Sequence, residues 1–347
     1  MTSRSVGTRP RNGEQQPRRP KGEVALEVTD LEVRFSTERG TVHAVNGVSF
    51  SARSGETIAI VGESGSGKSV TAQTIMGTLP QPPAEITRGQ IRYGDVDLLT
   101  LPRSELRRLL GARISMVTQD ALTALNPTLT VGFQIAEMYR IHRGLSRSAA
   151  RARVIEMLER VRIPDAAARA NQYPHQFSGG MQQRAMIAMA LALDPEVVIA
   201  DEPTTALDVT VQAQIMDLLL ELQNENGMAL VLITHDLALV SDVADAIGIM
   251  YGGRIVESGP VRDVFARPAH PYTRGLMTSV PGNARRAEDL QPIPGRPPDL
   301  LAQPTACAFA PRCDRAIDRC HAELPSLAVV ADGRTSACHL AHEEYAL

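Results

Sequence analysis

Thr57-Ile58-Ala59-Ile60-Val61-Gly62-Glu63-Ser64-Gly65-Ser66-Gly67-Lys68-Ser69 runs a short apolar segment into a loop of glycine and serine that ends in Lys-Ser. The apolar run reads as a strand buried on both faces, and the residues after Ser69 are helix-compatible to about Thr78. Between them, Gly62 to Ser69 fits the phosphate-binding pattern G-x-x-x-x-G-K-[ST]. Glycines there let backbone N–H groups converge on phosphate oxygens, and the start of the following helix adds a favourable dipole. In this pattern Lys68 reaches the β- and γ-phosphates and the Ser69 hydroxyl ligates Mg²⁺. A chance Gly/Ser loop needs neither the strand before it nor the helix after it, and both are present. The unit sets an α/β fold around a nucleotide-binding loop, without saying which NTPase this is.

Further along, Val197-Val198-Ile199-Ala200 forms a second apolar strand that ends in Asp201-Glu202. Asp201 at the strand tip is placed to serve the Mg²⁺ through its second shell. Glu202, one residue beyond, is placed near a water attacking the γ-phosphate, as a general base. An exposed acidic turn before Pro203 would not explain why both acids follow a buried strand. Upstream, Ser178-Gly179-Gly180 opens another helix that continues through Met181 to Leu193. Ser178 can cap that helix or donate to an oxygen, and the two glycines permit close backbone approach. Ser-Gly-Gly alone is usually a turn. One phosphate chain cannot rest on both loops of a single fold unless they face each other, which suggests a site shared between two subunits.

Around these anchors the chain alternates strand and helix. Ala25 to Val28, Leu31 to Phe35 and Ala44 to Phe50 read as strands. Residues about 101–180 are Arg-rich and helical, with Val154, Met157, Leu158 and Val161 at helical spacing and Pro164 as the stop. A helix over Val211 to Gln223 and a buried strand over Ala229 to Thr234 follow. Ala246 to Tyr251 and Arg254 to Glu257 flank Gly252-Gly253, a two-residue hairpin signal. Residues 1–22, rich in Arg, Pro, Gly and Gln, read as a disordered basic tail. Net charge of −3 and 3% aromatic residues leave neither a broad basic surface nor a stacking platform for nucleic acid. No apolar run is long enough to cross a bilayer and no secretory segment opens the chain, so a cytoplasmic protein is expected. Cys307, Cys313, Cys320 and Cys338 cluster near the end. In a reducing compartment this favours a metal site over disulfides.

The set of motifs, in this order, resembles an ATP-binding cassette (ABC) ATPase over roughly residues 24–275. Gly62 to Ser69 match its Walker A motif and Val197 to Glu202 its Walker B. Phe177 to Met181 resemble its Leu-Ser-Gly-Gly-Gln signature, with Phe and Met replacing the end residues. The resemblance implies that Gln119, after Ile114 to Thr118, touches Mg²⁺ or the attacking water. It implies that His235 senses the γ-phosphate, that Ala206-Leu207-Asp208 is the D-loop, and that Phe35 lies against adenine. Expected, then, is an ABC-type P-loop NTPase core (23–275) with an antiparallel β subdomain and a helical insertion, plus a small cysteine-containing extension (276–347).

Leu125-Asn126-Pro127, His270 to Leu276, Pro292 to Gly295 and the segment Cys307 to Cys313 are similar to ATPase subunits of oligopeptide and dipeptide importers. That resemblance implies an energy-coupling ATPase, peripheral on the cytoplasmic membrane face. Its implied partners are a second cassette subunit (a paralogue or itself), two membrane permease subunits and, indirectly, a solute-binding protein. A transporter of nickel or another solute with the same architecture fits the same motifs, whereas a soluble ABC ATPase would predict two cassettes or a long coiled coil. The tail resembles extensions that hold a [4Fe-4S] cluster. The spacing C-x5-C-x6-C-x17-C is looser than paired zinc cysteines and tilts toward iron–sulfur, with Zn²⁺ and unligated thiols as alternatives. His321 and His339 adjoin cysteines and read as surface residues rather than ligands.

Overall fold

The computed structural model describes residues 19–205, 207–279 and 292–344. The alternating segment after Val24 folds as two long strands, β1 (Val24–Thr37) and β2 (Gly40–Arg53), where the sequence suggested three short ones. β3 (Thr57–Val61) leads into the phosphate loop, and α1 (Lys68–Ile75) follows it. β4 (Ala84–Tyr93) and β5 (Val96–Asp97) return to the first pair, giving an antiparallel sheet in the order β2-β1-β4-β5. The sequence reading passed over β4, although Ala84, Ile86, Ile91 and Tyr93 carry its apolar face.

The second sheet holds β6 (Ile114–Val117), β7 (Val197–Asp201), β8 (Ala229–Thr234), β9 (Ala246–Tyr251), β10 (Arg254–Pro260), β11 (Ala328–Ala331) and β12 (Arg334–Ser336) together with β3. Its order is β11-β12-β10-β9-β3-β8-β7-β6. β3 pairs in parallel with β8 and β9, and β7 in parallel with β8 and β6. β10 returns antiparallel to β9 through Gly252-Gly253, as the hairpin signal predicts. Side chains alternate across the central strands. Val198, Ala200, Leu230 and Leu232 face a core shared with the helical insertion, while Val197, Ile199, Val231 and Ile233 face the antiparallel sheet and α1. Each Val, Leu or Ile among them, once buried, contributes about 1.5–3 kcal/mol, and Ala200 less. This explains why β7 and β8 read as unbroken apolar runs.

Between β5 and β7 lie α2 (Arg103–Leu109), α3 (Ala121–Ala124), α4 (Val131–Arg143), α5 (Arg147–Arg160), α6 (Ala166–Arg169) and α7 (Gly179–Leu191). α5 starts where the Ser146 hydroxyl accepts from the Ala149 N–H at 3.2 Å, a side-chain N-cap. It buries Ala150, Val154, Met157 and Leu158 as one stripe. After β7 come α8 (Val209–Asn226), α9 (Leu237–Val243), α10 (Val261–Ala266), α11 (Pro271–Thr278), α12 (Asp318–Ala322) and α13 (His339–Glu344).

The first described residues and the cysteine extension are both tied to this frame. Residues 1–18 of the expected tail lie outside the described residues, but Arg19 and Gly22 are hydrogen-bonded to the core, while Pro20 and Lys21 between them are exposed. The Arg19 Nε donates to Glu196 at 3.0 Å, and the Gly22 N–H donates to the Ser54 carbonyl at 2.9 Å. The cysteine extension adds β12 and β11 to the open edge of β10, so it is part of the main sheet. Fully buried Glu257 of β10 fixes that seam: it accepts from the N–H groups of Ala269 and His270 at 2.8 and 2.9 Å and from Arg334 of β12 at 3.2 Å. Replacing Glu257 with Ala is expected to destabilise the fold by about 3–5 kcal/mol, because a buried charge pair is cut on one side. Urea unfolding measures this directly.

Candidate nucleotide-binding site

β6, β7, β8 and β3 are parallel neighbours, so the residues that follow their carboxyl ends meet at one rim of the sheet, where such folds bind ligands. That topology brings Gln119 (beyond β6), Asp201 and Glu202 (β7), His235 (beyond β8) and the Gly62–Ser69 loop (β3) together. A cavity of about 700 Å³ opens at this rim. Its lining includes Ser64, Gly65, Gly67, Lys68 and Ser69 of the loop, the motif residues Gln119, Glu202 and His235, and the apolar Phe35, Val42 and Leu300.

The loop is held as a rigid cradle. Gly67 adopts φ +102°, and a Cβ there would collide with the Ala44 carbonyl oxygen, so the position demands glycine. The Ser66 carbonyl accepts from the Gly253 N–H at 3.1 Å, which anchors the loop to the β9–β10 hairpin. Buried Lys68 donates from Nζ to the carbonyls of Gly62 (2.8 Å) and Glu63 (3.0 Å), curling over the loop. Burial lowers the tendency of its ammonium to stay protonated, and the carboxylates of Glu202, Asp201 and Glu63 oppose that pull. The Ser69 Oγ donates to Asp201 Oδ1 at 3.2 Å. Burial pushes the Asp201 carboxyl upward, and that same hydroxyl counters the shift.

Glu202 is the hub of the site. One carboxylate oxygen accepts from Gln119 Nε2 at 3.1 Å and from Thr205 Oγ1 at 2.8 Å, and the other lies 3.3 Å from His235 Nδ1. Its backbone is left-handed, with φ +47°, and its N–H donates to the Ile233 carbonyl at 2.8 Å. Such a conformation costs a non-glycine residue on the order of 1–3 kcal/mol. It turns the side chain out of the strand toward the cavity. Three residues named from separate stretches of sequence thus meet at hydrogen-bonding distance.

The Ser178 stretch lies elsewhere. Ser178 and Gly179 are exposed, and none of Ser178, Gly179, Gly180 and Met181 lines the cavity. Ser178 Oγ caps α7 by accepting from the Met181 N–H at 3.4 Å. A Cβ on Gly180 would come within 2.9 Å of Val211, so that glycine seats α7 against α8. Met181 packs against the helical core. Asp208 caps α8, its Oδ1 accepting from the Val211 N–H at 3.0 Å, beside Val209, which is 81% exposed. Ala206 of the same stretch lies outside the described residues.

The cysteines give a mixed outcome. Cys307, Cys313, Cys320 and Cys338 all line one small enclosed cavity with His270 and His339. Yet among the described residues no group of three or more His, Cys, Asp or Glu is arranged to hold a metal ion, so a ready-made metal site is not supported. The cavity offers about 10 Å³, roughly the space of one water. Burial pushes the Cys307 thiol up to about 11 and raises those of Cys313 and Cys338. His339, expected at the surface, is buried.

Sequence reasoning missed four residues: Thr205 on Glu202, Leu300 beside Phe35, and Tyr272 and Arg312, which both reach Glu63. The last three come from the segment after residue 270, and no local pattern links them to the loop.

Two family descriptions match the chain: ABC transporter over residues 45–205, and oligopeptide/dipeptide transporter, C-terminal region, over residues 256–320. The dipeptide transport ATP-binding protein DppD of Bacillus subtilis is 51% identical over 92% of this chain and 95% of that protein. DppD of Escherichia coli is 49% identical over 90% of this chain and 96% of its own length. Among solved structures, a dimeric post-hydrolysis state of the ATP-binding cassette MJ0796 bound to ADP and Pi is similar. It has a TM-score of 0.61 and 29% identity, and the match covers 68% of this chain and 99% of that one. The fold, the rim of motif residues and these similarities agree: the chain belongs to the ABC transporter ATPases, in the branch that carries the oligopeptide/dipeptide transporter C-terminal region.

Proposed function

We propose that this ATPase is the energy-coupling subunit of a peptide-class ABC importer, binding peripherally to two membrane permease subunits that receive solute from a binding protein. Among the described residues no helix is long and apolar enough to cross a membrane. The meeting of Gln119 and His235 on Glu202 above the Gly62–Ser69 loop carries the reading of the chemistry. The names of the relatives, dipeptide transport and peptide import ATP-binding proteins, support the cargo class.

In this reading the loop amides and Lys68 hold the phosphates, and Phe35 carries the adenine. Ser69 and Asp201, already within hydrogen-bonding distance of each other, would hold Mg²⁺. Bound there, Mg²⁺ would offset the negative charge of the phosphates. Glu202 takes the proton of a water oriented with Gln119 and His235. The water oxygen bonds to the γ-phosphorus as the bond to the β–γ bridging oxygen breaks, releasing ADP and phosphate. Ser178, Gly179, Gly180, Met181 and Asp208 serve the nucleotide of a second cassette subunit, which fits the exposure of Ser178, Gly179 and Asp208 in one chain. The segment from Asp120 to Tyr139, where Phe133 is 43% exposed, receives the permease. Co-purification of membrane subunits, with ATPase activity stimulated by a di- or oligopeptide-loaded binding protein, is the expected result. Stimulation by nickel or another solute alone would replace the peptide assignment.

For the extension we propose that Cys307, Cys313, Cys320 and Cys338 are the thiolate ligands of an iron–sulfur cluster that cross-links the tail. Their sharing of one cavity is the support. Anaerobically purified protein should contain iron and acid-labile sulfide and lose its visible absorption when Cys320 is replaced by Ser. Zinc without colour, or no metal, would end that assignment.

A further inference from the structure

Glu63 places a carboxylate inside a loop whose task is to attract anions. In the structure that carboxylate is engaged from outside the nucleotide core. Arg312 of the cysteine extension donates from Nη1 to Glu63 Oε2 at 2.8 Å and from Nη2 to Oε1 at 3.0 Å, a two-pronged pairing. The Arg312 side chain is only 5% exposed. It is oriented by the Pro294 carbonyl, which accepts from Nε at 2.8 Å, and by the Tyr251 hydroxyl, which accepts from Nη1 at 3.2 Å. A second contact reaches the same residue, since the Glu63 N–H donates to the Tyr272 hydroxyl at 3.0 Å. Farther along, the Leu300 carbonyl accepts from the His43 N–H at 2.8 Å, and Leu300 lines the nucleotide cavity beside Phe35. The extension therefore touches the site at the phosphate loop and at the base pocket.

We propose that Arg312 is a positioning residue for nucleotide binding: by pairing with Glu63 it neutralises and turns aside the one carboxylate of the phosphate loop, so the extension sets the affinity for nucleoside triphosphate. The proposal rests on the phosphate-binding reading of Gly62–Ser69. An unpaired Glu63 carboxylate would repel the phosphates at short range in a partly desolvated loop, and Arg312 removes that repulsion. Lysine could supply the charge but not the planar fork.

The test measures ATP and adenosine affinity of the full-length chain, and KM against kcat for hydrolysis. Arg312→Ala is expected to weaken ATP binding by about tenfold to a hundredfold. Adenosine affinity and kcat at saturating ATP should change little. Adding Glu63→Gln to Arg312→Ala should recover most of the lost affinity, a rescue that simple loss of packing would not produce. Unchanged ATP affinity in Arg312→Ala, or a double variant as weak as the single one, overturns the proposal. If Arg312→Ala does not fold, Arg312→Lys is read the same way, with a smaller loss that Glu63→Gln must still relieve. Lys68→Ala is the separate control: if it binds ATP normally, the phosphate-loop reading itself fails, whatever Arg312 does.

Discussion

Glu202→Gln is expected to lower ATP turnover by about 10²- to 10⁴-fold while leaving ATP binding near its original strength. The amide keeps the size of the side chain and can still meet Gln119 and Thr205, which lie at 3.1 and 2.8 Å from the carboxylate. What it loses is the ability to take a proton. Single-turnover hydrolysis and equilibrium ATP binding separate the two effects. Turnover within about threefold of the unaltered protein, far short of the general-base range, would remove Glu202 as the base.

Ser178→Arg carries the second large effect. In a pair of one altered and one unaltered chain, hydrolysis is expected to fall on the order of 10²-fold at the unaltered chain's phosphate loop, as when a transition-state donor is removed. Trapping of ADP with vanadate should then label the altered chain and spare its neighbour. Ser178 Oγ also caps α7, so the change carries a stability cost of about 1 kcal/mol. That cost falls on the altered chain alone, and a melting curve registers it. Loss of trapping only on the altered chain would contradict a site shared between subunits.

The parts of the site that the sequence made legible are those whose geometry is local. Thr57 to Ser69 is strand, turn and helix in one stretch, and Asp201-Glu202 ends a strand recognisable from its own residues. Gln119 and His235 carried no such signal and were named through the order of motifs. Their meeting at Glu202 follows from the parallel pairing of β6, β7 and β8, which no single stretch encodes. β11 and β12 were missed for a related reason: runs this short become strands only because β10 leaves an edge to pair with. Arg312 lies 249 positions from Glu63, so their ion pair is a property of the assembled sheet rather than of either segment. The cysteines show the limit from the other side. Their clustering was visible, but their enclosure in one closed cavity depends on α12, α13 and β12 being folded onto the core.

The left-handed backbone of Glu202 has a consequence for how this protein can change. At φ +47° a glycine would relieve the backbone strain, yet the carboxylate on which Gln119, Thr205 and His235 converge would be gone. Backbone ease and turnover therefore pull in opposite directions at this one position. Selection against strain alone would drift toward an inert cassette that still binds its nucleotide, while selection for work holds the strained residue in place.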